Sequence, residues 1–326
     1  MSARVERIDR APRVGGPLAR WWFAPAPAER LAALRIAIGG FAVIWTAARL
    51  PELVGLAGLP AAQFAPVGVI RAIAAPLPPA LVSGIAAATL VLRVAFTAGW
   101  RYRVTAPLAA LGLLWTISYR NAWGMVFHTE NLVVLHVIAL ACLPAADAWS
   151  LDRRTALPFG SRPRAAPPAG YGWAVKLLAA LTCATYLLAG IAKLRIAGLA
   201  WLDGEQLRNQ IAVDNLRKAV LGAATAPLAR LFVVHPDGLI GLSVLTLAIE
   251  LGAPLALLGR RIAWLWLWGA WAFHAGVVLS MNVWFPYPLV GVAFLPLARP
   301  ERAIAWLLAR RESRRRSRGY ERGARQ

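Results

Sequence analysis

Residues 172 to 194 read GWAVKLLAALTCATYLLAGIAKL, an apolar run with one lysine near each end, Lys176 and Lys193. At about 1.5 Å per helical residue, a run of this length crosses the roughly 30 Å hydrocarbon core of a bilayer. Working outward from it, further apolar runs bounded by charge, Pro or Gly fall at 31 to 49, 79 to 98, 104 to 119, 130 to 146, 238 to 258, 262 to 281 and 285 to 298. Hydrophobic residues make up 59% of the 326 and charged residues 16%. With a mean hydropathy of +0.56, that is too apolar for an ordinary soluble domain. The pattern predicts an all-α, polytopic transmembrane helical bundle of about eight spans in a lipid bilayer.

The distribution of arginine orients the bundle. Arg101 and Arg103, then Arg153, Arg154, Arg162 and Arg164, then Arg260 and Arg261 fall in alternate loops, and both ends of the chain are rich in arginine. The intervening loops hold only Arg71, Arg120, Arg195, Arg208, Arg217, Lys218 and Arg230. Under the positive-inside rule this places both termini in the cytoplasm. The expected organisation is a basic segment over 1–30, a membrane domain over 31–300 with an outer loop at about 195–237, and an Arg-rich tail over 301–326. Within the outer loop, Asp203 to Leu221 is expected to form an amphipathic helix at the membrane surface. Ser161 to Ala169, SRPRAAPPA, reads as a Pro-rich linker. The first apolar run carries Arg35 and lacks a cleavage site, so it reads as an uncleaved span. The net charge of +21 is spread between apolar runs rather than along one soluble face, which argues against nucleic acid as a partner. Three lysines among many arginines, with abundant alanine, suggest a GC-rich bacterial genome.

Ionisable groups at membrane depth cost a few kcal/mol each, so each is a functional candidate with a partner to find. Arg35, Arg93, Glu130, His136, Lys176, Lys193, Glu250 and His274 lie in or at the ends of spans. Lys193 reads either as a lysine snorkelling to the headgroups or as a desolvated amine serving as a general base. His128, Glu130 and Asn131 open the fourth span behind Arg120 and Asn121, a density that suits capping as well as anion binding. His274 lies mid-span and needs a hydrogen-bonding partner, for which Glu250 is a candidate. The four histidines lack metal-ligand spacing, and no nucleotide loop or nucleophile elbow stands in a suitable context. Cys142 and Cys183 sit in apolar runs as packing residues.

Three stretches carry a family resemblance. They are SYRNAWGMVFHTENLVVLH (118–136) with DAWSLD (147–152); YLLAGIAKL (186–194) with WLDG (201–204); and ELGAPLALLGRR (250–261) with FHAGVVLSMNVWFPYPLVGVAFLPL (273–297). Together they resemble the vitamin K-dependent γ-carboxylase superfamily, in particular its horizontally transferred transmembrane (HTTM) domain proteins, from about Leu31 to Pro300. The resemblance implies that Lys193 is the base that deprotonates a vitamin K hydroquinone or menaquinol, with His128 and His274 as further catalytic residues. It also implies a cofactor-binding set of Arg120, Glu130, Asn131, Glu250 and Trp201. The implied chemistry is carbon dioxide addition to a glutamate side chain of a membrane or extracytoplasmic protein. The superfamily's carboxylases add an extracytoplasmic domain for their substrate, and this sequence shows no counterpart to it. A second reading therefore stands beside the first: a non-catalytic membrane scaffold, or a carrier for a lipophilic solute or a protein partner.

Overall fold

The computed structural model describes residues 16–155, 168–306 and 310. Among these there is no strand, and twelve α-helices are followed by further helical residues at 300–306: α1 Pro17–Trp22, α2 Ala28–Gly55, α3 Pro79–Ala98, α4 Tyr102–Asn121, α5 Asn131–Ala141, α6 Leu151–Thr155, α7 Pro168–Ala197, α8 Glu205–Val220, α9 Ala229–Val234, α10 Leu239–Leu251, α11 Arg260–Met281 and α12 Pro286–Leu289. The first half of the N-terminal basic segment, most of the Pro-rich linker and the arginines from Arg311 onward lie outside the described residues.

Every apolar run of the sequence is helical at least in part, and four helices are long and apolar enough to cross a membrane: 28–58, 79–98, 169–203 and 260–281. The others are shaped by proline and polarity. The sixth run is α10 followed by a 3-10 turn, Ala253–Leu257, where Pro254 offers no backbone N–H. The eighth, carrying Pro286, Pro288 and Pro296, is only α12 and a second 3-10 segment, Val292–Leu297. The fourth, α5, has 11 residues and rises about 16 Å, half a bilayer. The third, α4, has 20 residues but carries Arg103, Arg120 and Asn121 at its ends.

The long α7 packs against α2, α5, α10 and the Val292–Leu297 segment, and so lies at the centre of the bundle. Its N-terminal turn closes on the backbone of residue 24, where a side chain at Gly172 would collide with the Ala24 carbonyl. Two polar devices brace the core. Arg35 is fully buried and donates from Nε to the carbonyl of Thr97 and from its two terminal nitrogens to those of Ala145, Ala148 and Trp149, at 2.5 to 3.3 Å. It thereby ties the end of α3 to the turn beyond α5. Asp152 accepts from the backbone N–H groups of Arg101 and Tyr102 at 2.6 and 2.8 Å, capping the start of α4 from a distant segment.

His136 is another core cross-link. Its Nε2 lies 3.1 Å from the Leu178 carbonyl, which can only accept, so Nδ1 accepts from the Tyr287 hydroxyl at 2.7 Å. The stretch expected as a surface helix folds as α8. Its Asn215 and Lys218 donate to the carbonyls of Ser280 and of Met281 and Asn282, so α8 sits over the last turn of α11. Helix ends leave such carbonyls without intrahelical partners, and a cationic side chain there also suits the helix dipole.

Candidate functional site

Lys193 stands in the last turns of α7, and its ammonium is ion-paired with the Glu250 carboxylate near the end of α10. The pairing depends on how closely the two helices approach. A Cβ at Gly190, one turn before Lys193, would lie 3.0 Å from Glu250 Cβ and 2.9 Å from Leu251 Cδ2. The glycine of AGIAKL is thus the residue that lets α10 in. Glu250 is 3% exposed, whereas the Lys193 side chain retains 21%.

Aromatic rings enclose the ammonium. The Trp201 ring, from the 3-10 turn Gly198–Asp203, lies 5.2 Å from Lys193 Nζ and the Phe273 ring 5.7 Å, both within reach of cation–π attraction. Gly204 lets this turn fold back: it has φ +83°, and a Cβ there would lie 3.0 Å from the backbone at Leu239 and Ile240. The WLDG motif therefore places Trp201 over the lysine.

His274, next to Phe273 on α11, pairs through Nε2 with the Tyr186 hydroxyl of α7 at 2.6 Å. Tyr186 packs edge-on against Trp266 at 5.0 Å. Phe285 joins the last piece, with its ring 5.0 Å from His274 and 5.5 Å from His128. His128 is exposed and meets the cluster through that ring. Three buried polar atoms around the lysine have no hydrogen-bond partner among the described residues: Glu250 Oε2, His274 Nδ1 and Trp201 Nε1.

Of the residues expected at the site, Lys193, Glu250, Trp201 and His274 are brought together, and His128 stands at the edge. Arg120 and Glu130 belong to a separate network. Arg120 Nε donates to Glu52 at 2.6 Å, Nη1 lies 3.5 Å from Glu130, and the guanidinium covers the Phe127 ring at 4.2 Å. Glu52 also binds Arg49 at 2.6 Å, and Thr129 donates to Glu130. Asn131 is exposed at the first turn of α5. Among the described residues, no hydrogen bond, ion pair or ring contact joins these three to Lys193. The network and the lysine cluster are connected through the 122–130 loop, which carries His128. Sequence reasoning passed over Tyr186, Phe273, Phe285 and Glu52; the first three lie inside the quoted motifs, and Glu52 is an acidic residue near the end of an apolar run.

The arrangement sets an amine–carboxylate pair beside two aromatic rings, with partnerless polar atoms close by. Among known families, residues 23–297 match the HTTM domain. No curated protein and no solved structure matches the chain. The match covers most of the sequence, including Lys193, Glu250, Trp201 and His274, and the chain belongs to the HTTM domain family.

Proposed function

We propose that this protein crosses the bacterial cytoplasmic membrane eight times with both ends in the cytoplasm. Its membrane domain over 31–300 holds a quinone site centred on Lys193 that supports a carboxylase-like reaction. The ion pair between Arg30 and Glu301 at 2.8 Å supports an even number of crossings, because it holds the two ends of the domain at one face.

One observation carries the site reading: Glu250 Oε2, His274 Nδ1 and Trp201 Nε1 are buried, lack partners among the described residues, and gather near one lysine. Buried polar groups at membrane depth normally find partners within the protein, so three in one cluster suit a ligand with several oxygens. In this reading Trp201 and Phe273, which already stand against the Lys193 ammonium, would hold the quinone, with Trp201 Nε1 as the available donor. Glu250 holds the Lys193 ammonium and takes its proton, leaving a neutral amine as base. Tyr186 fixes the His274 ring through Nε2 and leaves Nδ1 facing the ligand. A reduced quinone, menaquinol or vitamin K hydroquinone, supplies together with oxygen the base that a carbon acid demands, far stronger than any side chain near neutral pH. The glutamate substrate then belongs to another membrane or extracytoplasmic protein.

The non-catalytic reading, a scaffold or a carrier of a lipophilic solute, is favoured by one feature. Lys193 is already tied to Glu250 across α7 and α10, which is also the geometry of a structural cross-link. Native mass spectrometry and redox difference spectroscopy of the detergent-purified protein with menaquinone separate the two. Wild type, Lys193→Met and Lys193→Met/Glu250→Gln are compared, the double variant removing the buried carboxylate that the single one strands. The site reading expects wild type to retain the quinone and to oxidise its reduced form in air, and the double variant to stay folded without doing so. Equal behaviour of wild type and the double variant, with or without bound quinone, would leave the scaffold or carrier.

A further inference from the structure

Away from Lys193, α8 and α9 leave between them an open groove of about 450 Å³. Its lining includes Ala212, Leu216, Ala219, Ala226 and Val233, with Arg230 among them. Volumes of a few hundred Å³ with apolar walls and few polar groups are typical of small-molecule sites. The inner face of α8 is occupied, since Ile211 packs against Ala226, Ala229 and Leu239 and Asn215 and Lys218 cap α11. The outer stripe is bare: Val213, Leu216 and Val220 are 65%, 66% and 77% exposed. A helix apolar on both sides but polar along its edges suits a seat at a membrane boundary.

The charges beside this groove differ in their commitments. Arg217 and Lys218 both bind Asp214. Arg230 is exposed and has no ion-pair partner among the described residues. A second copy of a chain of net charge +21 would bring like charge to the groove, whereas an anionic lipid would neutralise it. The alanines leave room between α8 and α9, and a groove of about 450 Å³ accommodates a hydrocarbon chain rather than a folded partner.

We propose that the α8–α9 groove binds one acyl chain of an anionic phospholipid whose phosphate pairs with Arg230. The test is native mass spectrometry of the purified full-length protein with phosphatidylglycerol or phosphatidylcholine of identical chains. Arg230→Gln removes the headgroup contact, and Ala219→Phe fills the groove from a surface position. Wild type is expected to retain phosphatidylglycerol in preference to phosphatidylcholine. Arg230→Gln should lower phosphatidylglycerol retention and reduce that preference about fivefold, the share of one basic residue near a lipid surface, while phosphatidylcholine, whose phosphate is balanced by its own choline, falls less. Ala219→Phe should lose both lipids with thermal unfolding unaltered. Equal retention of the two lipids by wild type, or wild-type retention by either variant, would overturn the proposal. So would a lipid-free dimer that Ala219→Phe dissociates, since the occupant would then be a second copy.

Discussion

Lys193 and Glu250 are unequal partners. The lysine keeps partial exposure and a flexible stem, so without Glu250 it can swing its ammonium toward the headgroups. The carboxylate is almost fully enclosed and has no such escape. Breaking a buried pair by deleting one member costs about 3–5 kcal/mol, and that cost should fall mainly on the lysine deletion. In thermal unfolding, Lys193→Met is expected to lower the midpoint most, Glu250→Gln less, and the double variant to recover much of the loss. Similar losses from both single variants would show that the pair is more exposed than its geometry indicates. Arg35 presents a different case, because it spends its donors on four carbonyls. Lysine keeps the charge but cannot reproduce that planar spread, so Arg35→Lys should destabilise by about 1–3 kcal/mol through unmet carbonyls, read as reduced folded yield in detergent. These ionisable residues were legible in the sequence because a charge inside an apolar run is itself a signal. Tyr186, Phe273 and Phe285 were not, since an aromatic residue in a membrane helix looks the same whether it lines a site or packs a core. Arg120 and Glu130 were legible as a pair of interest but not as neighbours of Glu52, which is 68 positions from Arg120 and met only once α2 and α4 are packed.

At the scale of elements, run positions were readable and run continuity was not. All eight apolar stretches contain helix, yet Pro254 and the prolines of FPYP and FLPL divide the sixth and eighth into short pieces. Hydropathy averages over such breaks because a proline costs little on a transfer scale and much in a hydrogen-bond ladder. The same contrast applies to Gly190, whose value lies in what it leaves out. Gly190→Leu would set a branched side chain where Glu250 Cβ and Leu251 already stand within about 3 Å of a Cβ. Overpacking of this kind typically costs about 1–3 kcal/mol. The expected result is a lower unfolding midpoint together with faster reaction of Lys193 with an amine reagent, as α10 moves off and the pair opens. A lowered midpoint with no change at Lys193 would place the strain elsewhere. Asp152→Ala addresses the other end of the bundle: with the N-terminal amides of α4 uncapped, a loss of about 1–2 kcal/mol is expected, and Asp152→Asn should recover part of it by offering one acceptor oxygen.

For the molecule as a whole, the decisive contact joins its two ends. Arg30, at the start of α2, donates from Nε and Nη2 to Glu301 Oε1 at 3.1 and 2.8 Å, across 271 residues of sequence. Both side chains are largely shielded, which lifts the pair above the negligible worth of an exposed surface bridge. It closes the bundle after the broken final run of α12 and its 3-10 continuation. A double-mutant cycle isolates this closure. Arg30→Glu and Glu301→Arg each place like charges together and should destabilise, whereas the swapped double variant should regain most of the loss, with a coupling of about 1–3 kcal/mol. Additive effects would mean that the ends are held by packing alone. The cycle also bears on topology: a swap that restores stability requires residues 30 and 301 to share one face, and an odd number of crossings between them could not meet that condition.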